Sequence, residues 1–136
     1  SHFIGIKSVK KKNTNWRVAR KIFVNKSKSI VNNYVFSSNS PYYKVVSQIL
    51  NKLKKYNRLD VFKKNPQDKK EKINLDNLMK SLVICGDPNE VVERIIELKE
   101  QIGNFNTITY VGMDWKSPKL AQESLKLMAN DVMHKI

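Results

Sequence analysis

Ser81-Leu82-Val83-Ile84-Cys85-Gly86-Asp87-Pro88-Asn89-Glu90-Val91 decides the reading of this chain, because an apolar run, a turn and a helix start follow one another without a gap. Ser81 to Cys85 is the kind of compact apolar run that a strand covered on both faces requires. Gly86 ends it. Asp87 then stands as N-cap, Pro88 at the first helical position and Glu90 two residues on, a capping box in which each carboxylate accepts a backbone N–H that the first helical turn leaves open. Val91, Ile95, Leu98 and Ile102 recur as one buried stripe, and Gly103 closes the helix as the residue that tolerates a left-handed backbone. Strand, tight turn and helix in that order are half of a βαβ unit.

Downstream the pattern repeats. Thr107-Ile108-Thr109-Tyr110-Val111 is a β-rich run stopped by Gly112, and Ser117-Pro118 restarts a helix carrying Ala121, Leu125, Met128 and Val132 at helical spacing. The second half therefore reads strand, helix, strand, helix, the pattern of a parallel sheet. Upstream, Trp16, Val18, Ile22 and Val24 fall on one side of a strand at period two, with Arg17, Ala19, Lys21 and Phe23 on the other. A short helical stretch is expected over 29–36. Ser40-Pro41 then caps a second helix whose stripe is Val46, Ile49, Leu50, Leu53 and Tyr56, with Lys44, Lys52 and Lys55 mostly elsewhere. Asp76 is positioned to cap a short turn through Met79. Residues 1–15 read as a lead-in or loop, residues 63–72 as an exposed polar loop broken by Pro66, and residues 16–136 as a single α/β domain.

The 136 residues carry 26 Lys and Arg against 12 Asp and Glu, a net charge of +14. The imbalance is lopsided: residues 1–72 hold 19 of the bases and only Asp60, Asp68 and Glu71. Such a cluster can be the footprint of a nucleic-acid or acidic-partner binding module, because neutralised phosphates release counterions. Against that alternative, only Arg17, Arg20, Arg58 and Arg94 supply the guanidinium fork that reads phosphate bidentately, and the many Lys travel with many Asn, as at compositionally drifting solvated positions. No segment approaches the roughly 18 to 20 apolar residues of a membrane span, and no basic, apolar leader is visible, so a cytoplasmic protein is expected.

Catalytic chemistry is not legible from residue type and spacing. Cys85 is the single cysteine, and with His2 and His134 it gives no zinc-ligand spacing, so no metal site is expected. Neither histidine is placed like the oriented base of a nucleophilic triad, and Cys85 at the end of an apolar strand reads as a small core residue. The turn Gly86-Asp87-Pro88-Asn89 lies between a strand and a helix, where backbone N–H groups can meet a phosphate, but Asp87 and Glu90 put negative charge on that same helix end. Gly112-Met113-Asp114-Trp115 is a polar and aromatic loop at the exit of the last strand, where Trp115 either staples the next helix or faces a ligand.

These segments together resemble a family. The run from Ser81 to Val91, then Ile102-Gly103-Asn104-Phe105-Asn106-Thr107, Gly112-Met113-Asp114-Trp115 and Ser124-Leu125-Lys126-Leu127-Met128-Ala129-Asn130-Asp131-Val132-Met133 resemble the C-terminal segment of luciferase-like flavin-dependent monooxygenases. Trp16 to Val24 and Tyr56-Asn57-Arg58-Leu59-Asp60-Val61-Phe62-Lys63 resemble the same family in the same order. The resemblance implies part of a (β/α)₈ barrel, with the strands near 17–24, 82–85 and 107–111 as its last three. It implies an oxidoreductase chemistry with reduced FMN, or a deazaflavin in some branches, and molecular oxygen. Gly86, Asp87, Pro88, Asn89, Gly112, Asp114 and Trp115 would then lie on the face of the barrel where cofactors bind. Met113 stands where the family often has His, and His134 where it often has Pro. A complete barrel needs about 250 residues, so this chain is expected to be a C-terminal fragment, from a split or truncated gene or an excised piece, that does not catalyse alone and binds FMN weakly or not at all. Its expected partners are the missing N-terminal barrel half or further copies of itself, since strands cut from a barrel expose edges.

Overall fold

The computed structural model describes residues 16–62, 74–113 and 117–136. The lead-in at 1–15, the loop at 63–72 and the residues Asp114 and Trp115 lie outside the described residues. The period-two segment forms β1 (Arg17–Val24), the four-residue run Val83–Gly86 forms β2, and Thr107–Val111 forms β3. All pairings are parallel and the order is β2-β1-β3. Val24 lies opposite Gly86 and Lys21 opposite Val83, whereas Arg17 lies opposite Thr107 and Lys21 opposite Val111. The two flanking strands thus hold opposite halves of β1, β2 its carboxyl half and β3 its amino half.

The α/β class with three parallel strands and covering helices is what the sequence predicts. The strand order adds a fact that period and composition do not contain. After β2 the chain crosses back over β1 to reach β3, so the second and third strands sit on opposite edges. In a barrel wall successive strands are neighbours. Among the described residues the sheet is open, with helices on both faces.

On one face Phe23 and Val83 pack under three helices: α1 (Lys28–Val31), which continues as a π-helical turn over Asn32–Phe36; α2 (Pro41–Lys55); and α3 (Leu75–Leu82). On the other face Val18, Ile22, Val24 and Ile84 meet Val91 and Ile95 of α4 (Pro88–Ile102). Met128 and Val132 complete that side, from a π-helical turn (Met128–Val132) extending α5 (Pro118–Leu127). Each fully buried Val, Ile or Phe of these two cores contributes about 1.5–3 kcal/mol. Breaking either core at Phe23 or Ile22 would remove the central strand's hold on one helical layer.

Helix starts follow the sequence closely. Ser40 Oγ accepts the Tyr42 and Tyr43 N–H groups ahead of Pro41, and Ser117 Oγ accepts the Leu120 N–H ahead of Pro118. Three expectations need correction. Asn74, not Asp76, caps α3, its Oδ1 accepting the Asn77 N–H at 2.9 Å. That helix runs through Leu82, because Ser81 Oγ donates back to the Asn77 carbonyl and Leu78 and Met79 supply the buried side, so the strand begins only at Val83. Tyr56 and Leu125 were expected on buried stripes but are 66% and 50% exposed. Tyr56 is already the C-cap, where the backbone has left helical values, and on α5 the buried positions four apart are Ser124, Met128 and Val132.

Candidate functional site at the carboxyl edge of the sheet

Parallel pairing brings the carboxyl ends of all three strands to one edge. Gly86 is level with Val24, but Val111 is level with Lys21, three residues or roughly 10 Å farther back along the sheet. Gly86 and Gly112 are further separated by the width of β1, two strand spacings of about 4.8 Å each. Gly86 and Gly112 thus share one edge of the sheet at different levels.

The turn between β2 and α4 is the capping box that the sequence spells out. Asp87 Oδ1 accepts the Glu90 N–H at 2.8 Å, and Glu90 Oε1 accepts the Asp87 N–H at 3.3 Å. Gly86 adopts φ +141°, and a Cβ there would come within 2.9 Å of Glu90 Cβ, so only glycine lets the Glu90 side chain fold back over the turn. Pro88 has no N–H to offer. A phosphate at this helix end would meet two carboxylates and the N–H of exposed Asn89, so the residues present do not form a cradle for the phosphate of a flavin nucleotide.

Across the sheet, the exit of β3 is held by aromatic side chains from the first helical layer. Tyr34 OH donates to the Met113 carbonyl at 2.9 Å, and the Met113 N–H donates to Tyr42 OH at 3.4 Å. Tyr34 stacks on Phe23 with centroids 4.4 Å apart, and Tyr42 tilts against both rings. Burial, reinforced by Tyr110, pushes the Tyr42 phenol well above its ordinary range, so it stays a neutral hydrogen-bonding group. Cys85 lies half-buried beside this cluster, and burial pushes its thiol up to about 11 despite the opposing pull of Arg94. At neutral pH it is a thiol, not a nucleophilic thiolate.

Ser124 and Asn25 complete the edge. Because β3 stops at the level of Lys21, the buried Val24 N–H has no strand partner on that side, and Ser124 Oγ accepts it at 2.9 Å while sharing a 2.8 Å hydrogen bond with Tyr110 OH. Asn25 N–H donates to the Gly86 carbonyl at 3.0 Å, carrying the pairing one residue beyond the strands, and its Oδ1 accepts the Ser27 N–H. Sequence reasoning missed Tyr34, Tyr42, Ser124 and Asn25. No local spacing marks them, because each acts on a backbone atom fixed by a distant element. Among the described residues no cluster of three or more His, Cys, Asp or Glu could hold a metal ion.

No protein-family model matches the chain, and no curated protein matches it. Among solved structures it is similar to the oxygenating constituent of 3,6-diketocamphane monooxygenase from the CAM plasmid of Pseudomonas putida, a type II Baeyer-Villiger monooxygenase solved in complex with FMN. The TM-score is 0.69 at 20% identity over 88% of this chain, and the likeness is one of fold. The chain spans 33% of that enzyme's length. No helix among the described residues is long and apolar enough to cross a membrane.

Proposed function

We propose that the chain is the C-terminal portion of a luciferase-like, flavin-dependent monooxygenase, and that it works only when the rest of the barrel is supplied. The observation that carries this reading is the asymmetry of the fold likeness: 88% of this chain superposes on a monooxygenase solved in complex with FMN, yet it accounts for 33% of that enzyme. In this reading Gly86, Asp87, Pro88 and Asn89 on one side, and Gly112, Asp114 and Trp115 on the other, form wall segments of the flavin and substrate pocket. The phosphate end of the flavin is held by the missing half, because the capping box of α4 leaves no room for a second anion. When bound, reduced flavin supplies the electrons that activate molecular oxygen.

Within this proposal the chain's partner is the N-terminal part of the barrel, with self-association as the other arrangement. The alternative of a basic nucleic-acid module draws on charge alone. Co-expression of the chain with the region encoded directly upstream tests the reading. Oxygenation of a cyclic ketone, dependent on added reduced FMN, is expected from the joined polypeptide and not from the chain alone. A joined polypeptide with no flavin-dependent activity toward any ketone, aldehyde or sulfonate would remove it.

A further inference from the structure

Two phenols meet the same backbone residue and spend their protons differently. Tyr34 OH donates to the Met113 carbonyl at 2.9 Å, so its hydrogen is used. Tyr42 OH instead accepts the Met113 N–H at 3.4 Å, which occupies a lone pair and leaves the hydroxyl hydrogen over. Among the described residues no acceptor takes that hydrogen, whereas Tyr34 and Tyr110 both have further partners. Tyr42 is 1% exposed, at the start of α2. A hydroxyl taken out of water gives up the acceptor that water supplied, so one that keeps its proton unspent in the interior calls for an acceptor from outside the chain.

The surroundings select that acceptor. Tyr42 belongs to the buried cluster of Phe23, Tyr34 and Val46, with Cys85, Met113 and Leu120 half-buried against it. The groups near enough to act on its charge are Tyr110, Tyr34 and Cys85, none of them a cation. An anion would be buried here without a countercharge. A water molecule needs two or more polar partners, and an alcohol brings a proton of its own where the Met113 carbonyl is already taken by Tyr34. A neutral carbonyl oxygen needs only the one donor present, and apolar walls with a single placed polar group suit the rest of such a molecule.

We infer that Tyr42 OH donates a hydrogen bond to the carbonyl oxygen of a small apolar ketone or aldehyde, received beside Met113 at the exit of β3. Met113 is half-buried, and its unbranched side chain with three rotatable bonds yields to a guest more readily than a branched one. Donation to the oxygen draws charge from the carbonyl carbon and makes it a better electrophile. Such a donor deepens the proposed function, on which its place at a catalytic face rests, and it is testable without flavin.

The probe is cyclohexanone, titrated into the isotope-labelled whole chain and followed through the Met113 amide by NMR, beside methylenecyclohexane, which has the same shape without the oxygen. Tyr42→Phe and Tyr34→Phe each keep the ring and each remove one hydrogen bond to Met113, so a loss of anchoring alone would act equally in both. Saturable binding of the ketone is expected, with its preference over the hydrocarbon reduced about three- to tenfold in Tyr42→Phe and kept in Tyr34→Phe. In the wild type the carbonyl carbon of bound cyclohexanone should resonate downfield of its position in hydrocarbon solvent, which decides the matter even where Tyr42→Phe does not fold. A preference retained in Tyr42→Phe, an equal loss in both variants, a bound resonance at the hydrocarbon position, or no saturable binding would each overturn the inference. Failure here with flavin-dependent activity in the joined polypeptide would leave the enzyme reading standing; success here without that activity would leave the ketone site and remove the enzyme reading.

Discussion

Single side chains at the carboxyl edge hold backbone atoms that no strand can reach, and Ser124 is the clearest case. It is fully buried on a helix face otherwise filled by Met128 and Val132, and its hydroxyl serves both the Val24 N–H and Tyr110 OH. Ser124→Ala leaves a buried N–H unsatisfied, so unfolding in urea should show a loss of about 1–3 kcal/mol. A loss below about 0.5 kcal/mol would mean that water or another group replaces the hydroxyl. Cys85 gives a pH-dependent counterpart. Its thiol is pushed up to about 11, so the thiolate is scarce at pH 8 and alkylation by iodoacetamide should still be accelerating between pH 9 and pH 11. The sign for stability is fixed by the same shift: the folded state favours the protonated thiol, so Cys85 contributes fully below the unfolded thiol's pKa and that contribution is lost as pH rises toward 11. An alkylation rate that levels off near pH 8.5 would contradict this. Ser124, between Glu123 and Leu125, and Cys85, at the end of an apolar run, carry no such information in sequence, because their roles depend on where β3 ends and on what covers β2.

Elements were legible where their instructions are local. The capping box at Asp87 and Glu90, the Ser-Pro starts of α2 and α5, and the glycine end of α4 are written within a few residues, and each forms as read. Asp87→Ala should therefore cost about 1 kcal/mol, seen as a lower urea midpoint with an unchanged slope. A changed slope would show that the turn controls more than its own helix. The boundary between α3 and β2 was not legible, because Ser81 and Leu82 suit a strand by type and were claimed for the helix by the Asn74 cap and the Ser81 bond to Asn77. The exposed Leu125 and Tyr56 show the same limit: apolar spacing gives a stripe, but the neighbouring layer decides which of two adjacent positions faces it. The aromatic hold on Met113 lay beyond sequence reasoning altogether, since it joins residues 71 and 79 positions apart.

At the scale of the molecule, the α/β class and parallel sheet follow from the repeated strand and helix pattern, whereas the order β2-β1-β3 depends on register and long crossovers that no window of sequence contains. In the proposed reading, the order β2-β1-β3, the filled helix end at Pro88 and the fold likeness to a third of a monooxygenase solved with FMN combine in one proposal: that the chain forms a wall of a flavin pocket and does not bind the flavin by itself. Fluorescence titration of FMN with the chain, alone and joined to the region encoded upstream, tests it most directly. The account predicts no saturable quenching by the chain alone and saturable quenching by the joined polypeptide; saturable quenching at low micromolar concentrations of the chain alone, abolished when the turn from Gly86 to Asn89 is disrupted, would contradict it.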